Sequence, residues 1–380
     1  MTRLAVVEPP ERVLDAEVGG PRGPDGPPPS AAPRTVRPRR VRGFTLDDWL
    51  SLVGSVAASF ALVWVGYLHL LDLSGVLGFA VVWYLVFLLL YGLVVSVTNP
   101  RHVVVERLVA ATLYLAATVV VGALVSAVVY VFVEGWRALD HANFFTHDMA
   151  GVSLTAPLNR GGMLAALVGT AIEVGIAIVI SVPLGLGTAV YMSEVGGKAS
   201  TLVRTVVEAM TALPEILAGL FVYVLLVVGV GLPKSGIAVS VAMAVTMVPI
   251  IARAGEVALR VVPGGLREAS SALGATHWKT VRKVVLPTAG AGLATATILA
   301  IARGVGETAI PLILSGASSY FTVNPTGVPM NSLPLYIYTG YVSHAPFAID
   351  RAFGAAAVLL MMVLLLFVTI RILARKRVGR

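Results

Sequence analysis

Polar and apolar positions in this chain segregate into long blocks instead of alternating every two to four residues. Apolar runs occupy 49–71, 75–97, 108–133, 163–192, 206–232, 236–253, 287–314 and 352–374. A helix that crosses a bilayer needs about 20 predominantly apolar residues, so the pattern predicts eight membrane helices and an all-α membrane protein. The sixth run is the shortest. The fourth is longer than a span requires and contains Glu173.

Composition agrees with that reading. Hydrophobic residues make up 57% of the 380 positions and charged ones only 13%, against about 25% charged in an ordinary soluble domain. The excess of 28 Lys and Arg over 20 Asp and Glu lies mostly between apolar runs and at the two ends, which fits orientation in a bilayer better than nucleic-acid binding. Arg101, Arg107, Lys198, Arg204 and the set from Arg253 to Lys283 share one side with Arg371–Arg380. The other side receives Arg137, Arg160, Lys234 and Arg351. Positive charge accumulates on the cytoplasmic side, so both termini are expected there. The longer loops at 134–162 and 315–351 then face outward, where they either dock an external partner or close the bundle.

Residues 1–46 are rich in Pro, Gly and Arg and carry little to bury, so they read as a disordered cytoplasmic arm. Without an early apolar segment they do not resemble a signal peptide. The arm helps orientation, or its PPP and PRR pieces bind a partner or anionic lipid. Residues 375–380 read as a basic tail. Cysteine is absent, which excludes disulfides and thiolate metal sites.

The segment 263–287, PGGLREASSALGATHWKTVRKVVLP, carries the most specific pattern. It predicts a short small-residue helix from Leu266 to Leu273, a break at Gly274 and a second, basic helix capped by Thr276. Lys279, Arg282 and Lys283 follow the i, i+3, i+4 spacing of one helical face. The pair is too long for a plain connector. Its Ala and Ser surface suits close packing into a groove of another protein, and its basic face equally suits lipid headgroups.

This segment resembles the EAA loop of ABC-importer permeases: Glu-Ala-Ala, three residues, Gly, nine residues, then Ile-x-Leu-Pro. The matching positions are Glu268, Ala269, Ser270, Gly274, Val284, Leu286 and Pro287, with Ser and Val as mild departures. The resemblance narrows to phosphate-specific permeases of the PstA type through GTAVYMSEVG at 187–196, LPEILAGLFVY at 213–223, VPMNSLPLYIY at 328–338 and ILAIARGVGETAIPLIL at 298–314. Ile310 separates Ala309 from Pro311, where the family commonly joins the two. The resemblance implies a type I ABC-importer permease core of six helices over 108–374, with 253–287 as the loop that couples to an ATPase. An N-terminal two-helix hairpin at 47–98 lies outside that core and reads as structural or partner-docking. Implied partners are a homologous PstC-type permease, a PstB-type ATPase dimer that uses ATP and Mg, and a PstS-type external phosphate-binding protein. No cofactor is expected in this chain, which lacks a G-x-x-x-x-G-K-[ST] phosphate loop.

Charges inside apolar runs mark the remaining candidates. A charge at mid-bilayer costs roughly 2.5–3.5 kcal/mol on insertion scales, so Arg303 and Glu307 within 298–314 need an explanation. On a continuous helix Arg303 lies about 24 Å from Pro287 and about 16 Å from Leu314, and Glu307 follows at i+4 on the same face. Either the two form an internal ion pair that only stabilises the bundle, or Arg303 lines an anion pathway with Glu307 easing release. The guanidinium fork suits two oxygens of a tetrahedral anion. Pro311 is expected to bend this helix by leaving the Glu307 carbonyl unpaired, and Thr308 either satisfies backbone or touches substrate. Pro183, Pro214 and Pro249 suggest comparable bends. Glu173, with Thr170 one turn earlier, faces either the pathway or the bundle, whereas Glu208 and Glu215 read as solvated at an interface. His69 reads as an interfacial ring near Asp72 in the hairpin turn. The function expected is import of phosphate between two permease subunits. The alternatives are another oxyanion, molybdate or sulfate, or a secondary anion transporter working alone.

Overall fold

A computed structural model describes residues 46–71 and 74–378. The arm before residue 46, Asp72 in the hairpin turn and the last two residues of the basic tail lie outside the described residues. Contacts divide the chain into two compact units between Tyr114 and Leu115. Among the described residues six uninterrupted helices are long and apolar enough to span a bilayer, and two bent helix pairs raise the number to eight.

In the first unit, α1 (Leu46–Leu70) and α2 (Val76–Thr98) pack against each other. An aromatic ladder joins them: the Phe60 ring meets Phe79 at 5.7 Å and Trp83 at 5.6 Å, and Tyr67 meets Phe79 at 5.7 Å, all edge-on. Edge-to-face aromatic pairs are favourable beyond the area they bury. Trp83 Nε1 donates to Ser59 Oγ at 3.1 Å, which places the indole N–H in an otherwise apolar seam. His69 is exposed near the end of α1. Arg107, in the first turns of α3 (Arg101–Leu139), pairs with Asp48.

The second unit is built on α4 (Leu164–Val195) and α7 (Gly236–Arg260), which pack side by side and run in the same direction. Small residues permit that approach. A Cβ at Gly185 would lie 2.6 Å from Ile251, and one at Gly255 would lie 2.9 Å from Ala189. α10 (Gly290–Val305) runs antiparallel to α7, with Gly292 against Ala258 at one end and Gly304 against Met247 toward the other. The core between them comprises Ala177, Val239, Met243, Met247, Ile251, Ala300 and Val305. α13 (Pro346–Val378) packs along α10, while Val179, Leu184, Leu364 and Leu365 point outward as an apolar surface suited to lipid. Several helices outlast the apolar runs that predicted them, because their polar end turns continue the helix beyond the hydrocarbon layer. α7 ends at Arg260, seven residues after its run.

Two runs are not the single helices expected of them. The run 206–232 is split between α5 (Gly197–Thr211) and α6 (Glu215–Gly229), which meet at 104°. Pro214 occupies the N-cap of α6, where its missing N–H breaks no helical bond. The run 287–314 is divided after Val305: residues 306–308 are non-helical and α11 (Ala309–Leu314) begins afresh. Pro311 therefore sits in the first turn of a new helix, where an amide hydrogen is dispensable, and does not bend a continuous one. Pro183 and Pro249 lie inside helices that continue through them.

The segment 264–288 lies at one end of this unit, the basic end, against the ends of α4 and α7. The opposite, loop end carries residues 140–163, 315–332 and the short helix α12 (Leu333–Val342). Asp148 ties these loops together, its carboxylate accepting from Ala150 N at 3.1 Å and Phe321 N at 2.8 Å. Thr170 joins α4 to the start of α12: its hydroxyl donates to the Ala166 carbonyl at 2.8 Å and accepts from Leu333 N at 2.7 Å. Both of these bonds are to backbone. Glu173, fully buried one turn on, packs beside Gly236 with no hydrogen-bond partner on either oxygen.

Candidate functional site

The two helix breaks meet. Arg303, in the last turn of α10, reaches across to Glu215, the first residue of α6, and forms an ion pair with it. The i+4 pair of Arg303 with Glu307, one of the two readings of the sequence, does not form, because the helix that would align them ends at Val305. Glu307 instead turns forward, its Oε1 accepting the Ala309 amide at 3.0 Å and so satisfying one of the orphan donors at the start of α11. Thr308 makes only a long contact, 3.5 Å, to the Gly306 carbonyl.

Glu215 is thus a correction to the sequence reading. It is no solvated interfacial acid but the counter-charge of Arg303, and its carboxyl also lies within hydrogen-bonding reach of Glu307. The dipeptide Pro214–Glu215 held the signal: Pro followed by an acid is a common helix start. Thr308 with Pro311 three residues on gave a similar start signal for α11.

A cavity of about 240 Å³ lies at this junction, lined by Met210, Thr211, Glu215, Thr246, Ile250 and Arg303. The Arg303 side chain is 59% exposed and Glu215 29%, while Glu307 is buried at 8%. The arrangement presents a permanently charged fork of N–H donors to an accessible space and holds it with one acid. Non-helical backbone at membrane depth is tolerated where it lines such a cavity, and half-helix ends meeting there are a recurrent way to build a transport site.

The basic end carries the second group of predicted residues. Helix α8 (Gly264–Ala272) ends in a Schellman turn: Ala275 N bonds the Ser270 carbonyl at 3.1 Å and Gly274 N the Ser271 carbonyl at 2.9 Å, with Gly274 at φ 78°. Only glycine adopts that left-handed conformation without strain, so the break at Gly274 stands as the sequence read it. Thr276 occupies the following N-cap, yet its hydroxyl makes no capping bond. The second helix, α9 (His277–Thr288), widens into a π turn over Val281–Val285, and Lys279, Arg282 and Lys283 are exposed on it. Ser270 and Thr280 clasp the two helices through their hydroxyls at 2.8 Å. Glu268 and Ala269 are exposed, Leu286 is half-buried and Pro287 is exposed where α9 turns toward α10.

Sequence reasoning missed what moors this helix pair. Arg267 donates to Glu194 Oε1 at 2.9 Å and to the carbonyls of Val262 at 2.8 Å and Leu259 at 3.2 Å, tying α8 to the end of α4. Beside it the buried Glu256 accepts from Arg204 at 2.6 Å and from Arg260 at 2.7 Å, joining α5 to α7. Arg253 pairs with Glu208 at 2.6 Å. These partners stand 45 to 73 residues apart for the three long-range pairs, beyond any local spacing rule.

The chain is 42% identical over 236 residues to the phosphate transport system permease protein PstA 1 of Mycobacterium tuberculosis (strain H37Rv), covering 61% of this chain and 75% of that protein. It is 37% identical over 234 residues to the phosphate transport system permease protein PstA of Mycobacterium leprae, covering 61% and 76%. Among solved structures it matches a chain of the MetNI methionine ABC transporter in an inward-facing conformation, with TM-score 0.44, 27% identity and coverage of 57% and 94%. The family model described as "Binding-protein-dependent transport system inner membrane component" matches residues 181–376, more than half of the chain. That span takes in both helix breaks and the whole of α8 and α9, and the chain belongs to the family of inner-membrane components of binding-protein-dependent transport systems.

Proposed function

We propose that this chain is a PstA-type permease subunit of an ATP-driven importer of inorganic phosphate, the anion passing between it and a homologous permease. The observation that carries this reading is Arg303, held by Glu215 beside a cavity where two broken helices meet. Its guanidinium remains charged at any working pH and offers a planar fork that matches two oxygens of a tetrahedral anion. Glu215 supplies competition. A bare cation in a low-dielectric site would hold an anion too long, whereas a neighbouring carboxylate that re-forms its pair hastens release. Glu307 and Thr308 shape the break by beginning α11. The relatives named as phosphate transport permeases support the choice of anion.

The chain is a transport subunit and not itself an enzyme, and ATP and Mg are handled by a separate ATPase. Glu268, Ala269, Ser270, Gly274, Leu286 and Pro287 form the docking segment for that ATPase, with both termini on the same, cytoplasmic side. A PstC-type permease, a PstB-type ATPase dimer and a PstS-type binding protein complete the machine in this reading. The decisive experiment reconstitutes the chain with its neighbouring subunits and asks which loaded binding protein stimulates ATP hydrolysis. Phosphate is the expected stimulant. Stimulation by sulfate or molybdate but not by phosphate would overturn the assignment.

A further inference from the structure

Arg303 accounts for the attraction of an anion to the cavity between the two helix breaks, but not for a preference among anions. Its guanidinium, with the start of α6 at Glu215 beside it, draws any tetrahedral oxyanion alike. Charge does not separate phosphate from sulfate. Within this space, discrimination falls to the other polar side chains that line it, Thr211, Glu215 and Thr246.

Hydrogen bonds already made assign that role to one of the three. The Thr211 hydroxyl donates to the Glu208 carbonyl at 2.7 Å and the Thr246 hydroxyl to the Met243 carbonyl at 2.9 Å, each within its own helix. A hydroxyl carries one proton, so neither threonine has a donor left to offer. Glu215 brings acceptors alone. Arg303 takes one of its oxygens, Oε1, and a carboxylate has about four acceptor positions, so capacity remains on a side chain that is 29% exposed. Glu307 approaches the same carboxylate but is buried and does not line the cavity. Among the lining side chains the space therefore holds one charged donor group and one charged acceptor group, joined as an ion pair.

An anion that fits such a pair brings both kinds of atom, charged oxygens for the guanidinium and an O–H for the carboxylate. Phosphate and arsenate keep a proton at neutral pH. Sulfate and molybdate keep none. We propose that Glu215 makes this cavity selective for protonated tetrahedral oxyanions, its carboxylate accepting a hydrogen bond from the anion's own O–H while Arg303 takes the charged oxygens. An unprotonated anion brings only lone pairs to Glu215, so two negatively charged acceptors face each other with no proton between them. A site built to bond a hydroxyl rejects the analogue that lacks it. Selectivity of this kind rests on Arg303 being an anion ligand on the transport route, and it fixes the class of anion that the route admits.

The test uses the full chain purified in dodecyl maltoside, without a binding protein that would discriminate on its behalf. Broadening of the phosphorus NMR resonance of inorganic phosphate measures weak binding, and competing anions are added at neutral pH. Arsenate should displace phosphate at a similar concentration, whereas sulfate should need about tenfold more or above, the scale of one hydrogen bond to a charged group. Glu215→Gln keeps the shape and replaces a pure acceptor with an amide that also donates, so sulfate should then displace phosphate at nearly the concentration that arsenate does. A purely structural role for Glu215 would lower thermal stability and leave that ratio where it was. Arg303→Ala separates two failures. Phosphate binding that survives Arg303→Ala, or no binding by the unaltered chain, would sink the transport reading and the selectivity together. Binding lost in Arg303→Ala, with the sulfate-to-arsenate ratio unmoved by Glu215→Gln, would overturn the selectivity alone. Sulfate displacing phosphate from the unaltered chain as readily as arsenate would do the same.

Discussion

Arg303 is paired with Glu215, 88 positions earlier in the chain, and not with Glu307 one helical turn away. Two interrupted helices thereby place one cation and one anion across a single gap, and the charge that looked like a flaw in an apolar run becomes part of a junction. The first prediction concerns its two ends. Arg303→Ala should abolish phosphate uptake while assembly and membrane insertion survive. Glu215→Gln should act differently. With its counter-charge gone, Arg303 should hold the anion more tightly, by about tenfold if one charged hydrogen bond is at stake. Half-saturation should fall and maximal uptake should fall with it. Uptake measured against phosphate concentration in reconstituted vesicles separates the two outcomes, and an unchanged Glu215→Gln profile would remove Glu215 from the pathway.

Glu307 is the second test, because its carboxylate caps α11 through the Ala309 amide. Losing a cap costs about 0.5–2 kcal/mol. Glu307→Ala should lower thermal stability in detergent accordingly, whereas Glu307→Gln, which keeps an acceptor oxygen, should lose much less. Thr308→Ala should be close to neutral, since the hydroxyl makes one long contact only. Equal losses for Ala and Gln at 307 would mean that charge, and not the cap, is what the position requires.

Gly274 carries the third. At φ 78° a β-branched residue is strained by about 1–3 kcal/mol, although the space around the glycine is open. Gly274→Val should therefore insert and assemble but misplace α9 relative to α8. Binding-protein-stimulated ATP hydrolysis should be lost while basal hydrolysis by the ATPase persists. Retention of full stimulation would sink the docking role of this segment.

Gly274 was readable in the sequence because a left-handed cap leaves a residue-type signature. The break at 306–308 was not, since Val305, Ala309 and Ile310 keep the run apolar and hydropathy does not report whether a helix is continuous. Its signals were local and weaker: Thr308 before a first-turn proline, and Pro214–Glu215 on the other strand of the junction. Arg351 shows the converse. The sequence counted it as a charge for orientation, and only the fold reveals that its guanidinium is enclosed by loop carbonyls. The location of the apolar runs follows from composition, whereas the small-residue packing of α4 on α7 is seen only in the fold. Which buried charge meets which does not, because those meetings depend on tertiary geometry.

The mooring of α8 gives the last prediction. Arg267 is only 29% exposed and Glu194 only 5%, and their ion pair is reinforced by two carbonyls that accept from the same guanidinium. An isolated surface pair is worth little, but this one fixes the segment proposed to dock the ATPase. Arg267→Ala and Glu194→Gln should each reduce stimulated ATP hydrolysis, Arg267→Ala by more because it also frees the carbonyls of Val262 and Leu259. Residues that share an interaction are non-additive, with coupling of about 0.5–3 kcal/mol. The double variant should therefore be scarcely worse than Arg267→Ala alone, in thermal unfolding as in stimulated hydrolysis. Strictly additive losses would show that the two side chains act separately, and that α8 is held in place by packing alone.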